Sequence, residues 1–192
     1  MAVAVEFPPE LHRFTHDEYW RMVESGGLDE DAHVELLDGL IVDMSPKSPG
    51  HEDAIMWLAR VLITSTDAQR FGVRVGSPLS MAMSAPEPDL AVVEEGTPKP
   101  YHPGSAALVI EVAVSSLRRD LRVKPRLYAQ AGVARYWVVD LDGGRAVVHA
   151  DPVGDAYTLV ETLGAGGVLR APELGLPGIS VADVLAAAAA RR

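Results

Sequence analysis

Ala107-Leu108-Val109-Ile110-Glu111-Val112-Ala113-Val114 is apolar on both alternating positions apart from one carboxylate. A strand with one wet face alternates apolar and polar residues, so this run reads as a central strand covered on both sides. Beyond it the spacing predicts a helix from about Arg119 to Ala131, stopped by Gly132, and then another apolar strand, Tyr136-Trp137-Val138-Val139. Pro125 is expected in the first turn of that helix, where its missing N–H costs little. The chain turns at Asp140 to Gly144 into a further strand, Ala146-Val147-Val148, and Tyr157 to Thr162 reads as the next. An Ala-rich helix begins near Ser180-Val181.

Upstream, three short strand-like runs, Gly72 to Val75, Leu79 to Met83 and Asp89 to Val93, are separated by proline-containing segments that forbid helix. Before them, Ala54, Ile55, Leu58, Val61 and Leu62 recur at three- and four-residue intervals, predicting a helix with one buried face between about Gly50 and Gln69. Val34 to Leu37 and Leu40 to Val42 flank Asp38-Gly39, a pair suited to the positive φ values of a tight hairpin turn. Thr15-His16-Asp17-Glu18 fits a capping box opening a short helix that ends at Gly26-Gly27. A helix, several strands, a helix and further strands describe an α/β protein with a mixed central β-sheet flanked by helices. We expect one domain over 1–192, with a core at about 34–140 and a β-rich extension plus final helix over 141–192.

The 192 residues suffice for a substantial core, and 48% apolar content is that of a globular protein. Without cysteine, disulfides, thiolate metal sites and a catalytic thiol are excluded, and a reducing cytoplasm is the expected location. No run approaches the roughly 20 apolar residues of a membrane span, and Met1 to Phe7 lacks the look of a secretory leader. Net charge is −10, from 17 Lys+Arg against 27 Asp+Glu. Residues 1–43 hold eleven acids against Arg13 and Arg21, or −9, and are expected to lie away from any polyanion cleft. The concentrated basic patch is Arg118, Arg119, Arg122, Lys124 and Arg126, with Asp120 among them. A solvated helix face is the ordinary reading of such a run.

Glu111 draws attention because a carboxylate inside an apolar strand must be protonated, paired with a cation or coordinated to a metal. Asp89, opening Leu90-Ala91-Val92-Val93, offers a second acid at the entry of another core strand. If the strands pair, the two carboxylates converge and repel, a situation relieved by a hard oxygen-liking ion such as Mg²⁺ or Mn²⁺. The structural alternatives are a Glu111–arginine pair, for instance with Arg135, and an Asp89 that merely bonds a turn. By position alone Lys124 is an exposed helix lysine and Glu35 a polar residue of the hairpin; a lysine beginning the helix after the Glu111 strand can also reach back to orient a water or offset phosphate charge.

Glu87-Pro88-Asp89-Leu90, Val109-Ile110-Glu111-Val112, Asp120 with Lys124 and Tyr128, and Tyr136-Trp137-Val138-Val139-Asp140 together resemble the Uma-type family of restriction-endonuclease-like proteins. Val34 to Gly39, Met44-Ser45-Pro46 and His51 extend the resemblance over most of Phe14 to Asp140. It implies the PD-(D/E)XK nuclease fold and a Mg²⁺- or Mn²⁺-dependent endonuclease that hydrolyses DNA phosphodiester bonds. On the matching positions Asp89 is the motif Asp, Glu111 the motif Glu, and Glu35 a third carboxylate at the metal. The Val112 carbonyl completes the shell. The usual lysine position, two after the acid, is Ala113; Lys124 takes the matching role from the helix. His51, Arg118, Arg119, Arg122 and Arg126 are then candidates for substrate contact, and a homodimer is the expected assembly for cutting two strands. Two alternatives remain: a catalytically silent fold acting as a nucleic-acid- or protein-binding module, and a two-carboxylate glycosidase, which the lysine disfavours. His51-Glu52 lacks the second histidine of a zinc-protease motif, and neither a phosphate-binding Lys-Ser/Thr loop nor a nucleophile-elbow serine occurs.

Overall fold

The computed structural model describes residues 11–29, 31–96 and 102–189. Residues 1–10 of the acid-rich segment and 97–101 of the proline-rich loop lie outside the described residues. In chain order the elements are α1 (His16–Glu24), β1 (Val34–Leu37), β2 (Leu40–Asp43), α2 (Pro49–Ser65), β3 (Phe71–Val75), β4 (Leu90–Glu94), β5 (Leu108–Ala113), α3 (Leu117–Arg122) and α4 (Lys124–Gln130). They continue with β6 (Arg135–Asp140), β7 (Arg145–Val153), β8 (Ala156–Gly164), β9 (Val168–Leu169), β10 (Ile179–Ser180) and α5 (Val181–Ala189).

Six strands form one sheet in the order β3-β4-β5-β6-β7-β8. The pair β5–β6 is parallel and the other neighbours are antiparallel, so the sheet is mixed. β5 is central and buried at all six residues. Its even positions, Leu108, Ile110 and Val112, pack with Leu90, Val92, Trp137 and Val139 against α2 and α5. Val109 and Ala113 pack with Ala91, Tyr136 and Val138 on the opposite face, against Tyr128 and Ala129 of α4. Burying Leu58 and Leu62 of α2 completely contributes about 1.5–3 kcal/mol each. Strand alternation therefore puts Glu111, an odd position, on the α4 side.

The capping box holds: Thr15 accepts from the Glu18 N–H and Glu18 reaches back to the Thr15 N–H. β1 and β2 form a separate antiparallel hairpin turning at Asp38 (φ 51°) and Gly39 (φ 78°). A Cβ on Gly39 would lie 2.6 Å from the Arg13 Cβ, so close approach as well as torsion requires glycine there.

Three expectations are revised. The helix at 119–131 is two helices broken at Val123, because Pro125 cannot donate to a carbonyl one turn back and its ring crowds that carbonyl. Leu79 to Met83 forms no ladder strand. Its Leu79 and Ser80 N–H groups go to Pro86 and Pro103 carbonyls, and Met81 and Ser84 exchange bonds across a tight turn. The acid-rich N-terminal segment does not stand apart from the site, since the hairpin brings Glu35 into it, as described next.

Candidate active site

Antiparallel pairing sets Leu90 opposite Ile110, and one step further along the register Asp89 faces Glu111 across the β4–β5 ladder. Both are buried, and so are Glu35, His51, Asp120 and Lys124. With Lys47, Glu87, Val112, Ser116 and Arg119 they line a cleft enclosing about 450 Å³ of space, part of it open solvent. Five elements or their ends supply the lining: the β1 hairpin strand, the start of α2, the entry to β4, the end of β5, and the α3–α4 junction.

Lys124 is the hub. Its Nζ donates to Glu111 Oε1 at 2.8 Å and lies 3.2 Å from Glu35 Oε2 and 3.8 Å from Asp120 Oδ1. The helix break places it there, as the first residue of α4, pointing back at the strand it follows. The Tyr128 hydroxyl, one turn along α4, also donates to Glu111 Oε1, at 3.0 Å. Asp89 Oδ2 accepts the Val112 N–H at 2.9 Å and contacts His51 Nε2 at 3.1 Å. Its other oxygen is 3.8 Å from Lys47 Nζ. Glu35 Oε2 accepts the Glu87 N–H at 3.2 Å. Its Oε1 is buried without a hydrogen bond, 3.4 Å from Arg119 Nε. Arg119 donates through Nη1 to the Asp43 carbonyl at 2.7 Å, tying α3 to the end of β2.

Burial pushes the Glu111 carboxyl up to about 8, with Lys124 opposing and Asp120, Asp89 and Glu35 adding to the rise. Burial alone would lower the Lys124 ammonium, but Glu111, Glu35 and Asp120 outweigh it and hold the lysine above its ordinary value. Burial likewise raises Asp120 and Glu87, opposed chiefly by Lys124 and by Lys47 respectively. The cluster is thus rich in buried acids whose proton affinity burial raises, and its lysine stays protonated.

Of the sequence candidates, Glu35, His51, Asp89, Glu111, Val112, Arg119 and Lys124 come together. Arg118 and Arg122 are exposed on α3 and do not line the cleft, and half-buried Arg126 pairs with Asp38 Oδ2 at 3.1 Å. Arg135 pairs with Glu173 and not with Glu111. Sequence reasoning gave no role to Lys47, Glu87, Asp120 or Tyr128. Glu87 stands two residues before Asp89 in an extended segment and Asp120 four before Lys124, spacings that signal a shared side; Lys47 carries no such mark.

A mixed sheet with helices on both faces and an acid pair at adjoining strand ends defines the restriction-endonuclease-like class. Within it, the chain belongs to the Uma2 family, described as "Putative restriction endonuclease", whose model matches residues 16–188. The structure is similar to that of a crystallised protein from Anabaena variabilis ATCC 29413, described as "a putative nuclease belonging to DUF820". The TM-score is 0.73 at 14% identity, covering 91% of this chain and 99% of the other. That likeness is one of fold. No curated protein matches the sequence. Among the described residues no helix is long and apolar enough to cross a membrane.

The implied divalent ion can be tested against the residues present. Among the described residues, no three or more His, Cys, Asp or Glu side chains are grouped to hold a metal as they stand. The donors are nonetheless hard oxygens, and Mg²⁺ commonly uses only one or two protein carboxylates, with water and phosphate completing its shell. Asp89, Glu111 and the Val112 carbonyl fit that demand in kind, and the unbonded Glu35 Oε1 is a further oxygen of the same type.

Proposed function

We propose that the cleft is the active site of a metal-dependent endonuclease that hydrolyses DNA phosphodiester bonds. The observation supporting this most directly is the meeting of Glu111 and Glu35 on one buried lysine, with Asp89 lining the same cleft. Asp89 and Glu111 would hold Mg²⁺ or Mn²⁺ with the Val112 carbonyl, Glu35 being the third carboxylate. When bound, such an ion polarises a phosphoryl oxygen and lowers the pKa of water. Lys124, protonated and gripped by Glu111 and Glu35, directs N–H groups at an attacking water and at charge gathering on the phosphate. Tyr128 fixes the Glu111 carboxylate and leaves its second oxygen free for a ligand. His51 and the Val112 N–H orient Asp89. Arg119 meets phosphate at the cleft wall, with Arg118, Arg122 and Arg126 outside it. The reading includes a single domain over 1–192, a cytoplasmic location and a homodimer.

A second reading takes the fold as a catalytically silent nucleic-acid- or protein-binding module. It is favoured by the side chains as they stand, since Glu111 lies on Lys124, Glu35 on Lys124 and Arg119, and Asp89 on His51 and Lys47. For this arrangement it has the more direct support. The two are separated by incubating plasmid and linear duplex with Mg²⁺ or Mn²⁺, using wild type, Asp89→Asn and Lys124→Ala. The nuclease reading expects metal-dependent cutting by wild type alone. Equal uptake of Mn²⁺ by wild type, Asp89→Ala and Glu111→Ala in calorimetry would remove the site and leave the binding module.

A further inference from the structure

Two lysines border the acids of the cleft and are held in different ways. Lys124 is 4% exposed and hydrogen-bonded to Glu111. Lys47 is 38% exposed, on the segment joining β2 to α2, and its Nζ stands 3.8 Å from Asp89 Oδ1, beyond hydrogen-bond reach. A Cβ built on Gly76 would lie 3.7 Å from Lys47 Nζ and 3.6 Å from Glu87 Oε1, so the ammonium sits in a space bordered by both carboxylates. Lys47 also lines a neighbouring cleft with His33, Met44 and Glu52, which gives its chain room to turn outward. A divalent cation on Asp89 and an ammonium a few ångströms away repel one another, and Lys47, unlike Lys124, has no hydrogen bond to hold it in place.

Resting on the proposed metal site, we infer that Lys47 is a phosphate-contacting residue kept in reserve on Asp89. Metal uptake at Asp89 displaces its ammonium, which then meets a backbone phosphate at the open side of the cleft. Lysine and metal compete for one carboxylate, while metal and nucleic acid favour each other. Because the coupling is reciprocal, DNA tightens metal binding as much as metal tightens DNA binding.

The test compares Mn²⁺ binding by calorimetry in wild type, Lys47→Met and Lys47→Arg, with a short phosphorothioate duplex as the nucleic-acid probe. Loosely held, partly exposed ion pairs are weak, so Lys47→Met is expected to bind Mn²⁺ about two- to fivefold more tightly, with Lys47→Arg close to wild type. With Mn²⁺ present, Lys47→Met should lose duplex affinity and its salt-dependence slope should become shallower by about one. If wild type binds Mn²⁺ and Lys47→Met binds it no more tightly, or its duplex slope is unchanged, the assignment of Lys47 is overturned while the metal site stands. If no version binds Mn²⁺, the metal site itself fails and the role of Lys47 falls with it.

Discussion

Two polar clusters are buried on the α4 side of the same sheet, and they are built on opposite terms. In the cleft the buried groups are ionisable and contact one another through side chains: Lys124 to Glu111 and Glu35, His51 to Asp89. Beyond it, Tyr136, His149 and Tyr157 form an aromatic stack with ring centroids 5.3 and 5.6 Å apart. There the two tyrosine hydroxyls bind backbone, Tyr136 donating to the Asp120 carbonyl and Tyr157 to the Val133 carbonyl, each at 2.9 Å, while His149 Nδ1 is buried without a hydrogen bond. A neutral group satisfied by backbone is a stable way to bury polarity. A dry ionic cluster is strained unless every charge is matched, and in the cleft burial lifts Glu111 in spite of its lysine. The contrast separates polar groups satisfied by backbone from ionisable groups that depend on one another.

The largest expected effect is on the ionic side. Lys124→Met leaves Glu111, Glu35 and Asp120 buried without their shared cation and should cost about 3–5 kcal/mol in denaturant unfolding. A loss below about 1 kcal/mol would show that the acids are already neutral, and the comparison would break. Next come pH effects of opposite sign. Glu111 binds its proton more tightly folded, at about 8, than unfolded, at 4.5. Its contribution is therefore present below pH 4.5 and lost as pH rises through about 8. His149 is lowered from 6.5 by burial, partly opposed by the nearby Tyr136 backbone. Its contribution is present above pH 6.5 and lost as pH falls through the lowered value. Stability should thus fall less as pH rises from about 4.5 to 8 in Glu111→Gln, and fall less as pH drops below 6.5 in His149→Phe; matching changes in the two variants would refute the distinction. Tyr136→Phe removes one backbone bond and should cost about 1 kcal/mol without altering Mn²⁺ uptake. Smallest of all, Arg118→Gln with Arg122→Gln, both exposed, should move stability by less than about 0.5 kcal/mol. Loss of duplex binding in that double variant would extend the working surface onto α3.

Much of the scaffold was legible because it follows from local chemistry. The capping box at Thr15, the Asp38-Gly39 turn and the buried strand at 108–113 each depend on residues within a few positions. The helix break at Val123 was missed although Pro125 is plain in the sequence, since the first turn of one helix and the start of a second tolerate proline alike. Leu79 to Met83 reads as a strand from its apolar residues, yet of these only Leu79 is buried, and the Leu79 and Ser80 N–H groups find carbonyls in distant loops instead of a ladder. The acids at 89 and 111 stood out as charges in apolar surroundings. Lys47 and Glu87 did not, for each lies in a loop where a charge is ordinary.

From the sequence alone came the mixed α/β architecture, the family and the acidic pair, because hydrophobic periodicity and an anomalous charge are written residue by residue. Which cation each acid takes was decided only by tertiary structure. Glu35 and Lys124 are far apart along the chain, and their contact depends on the hairpin docking beside a broken helix. Coulomb energy and desolvation depend on distance and burial, and those are properties of the folded molecule.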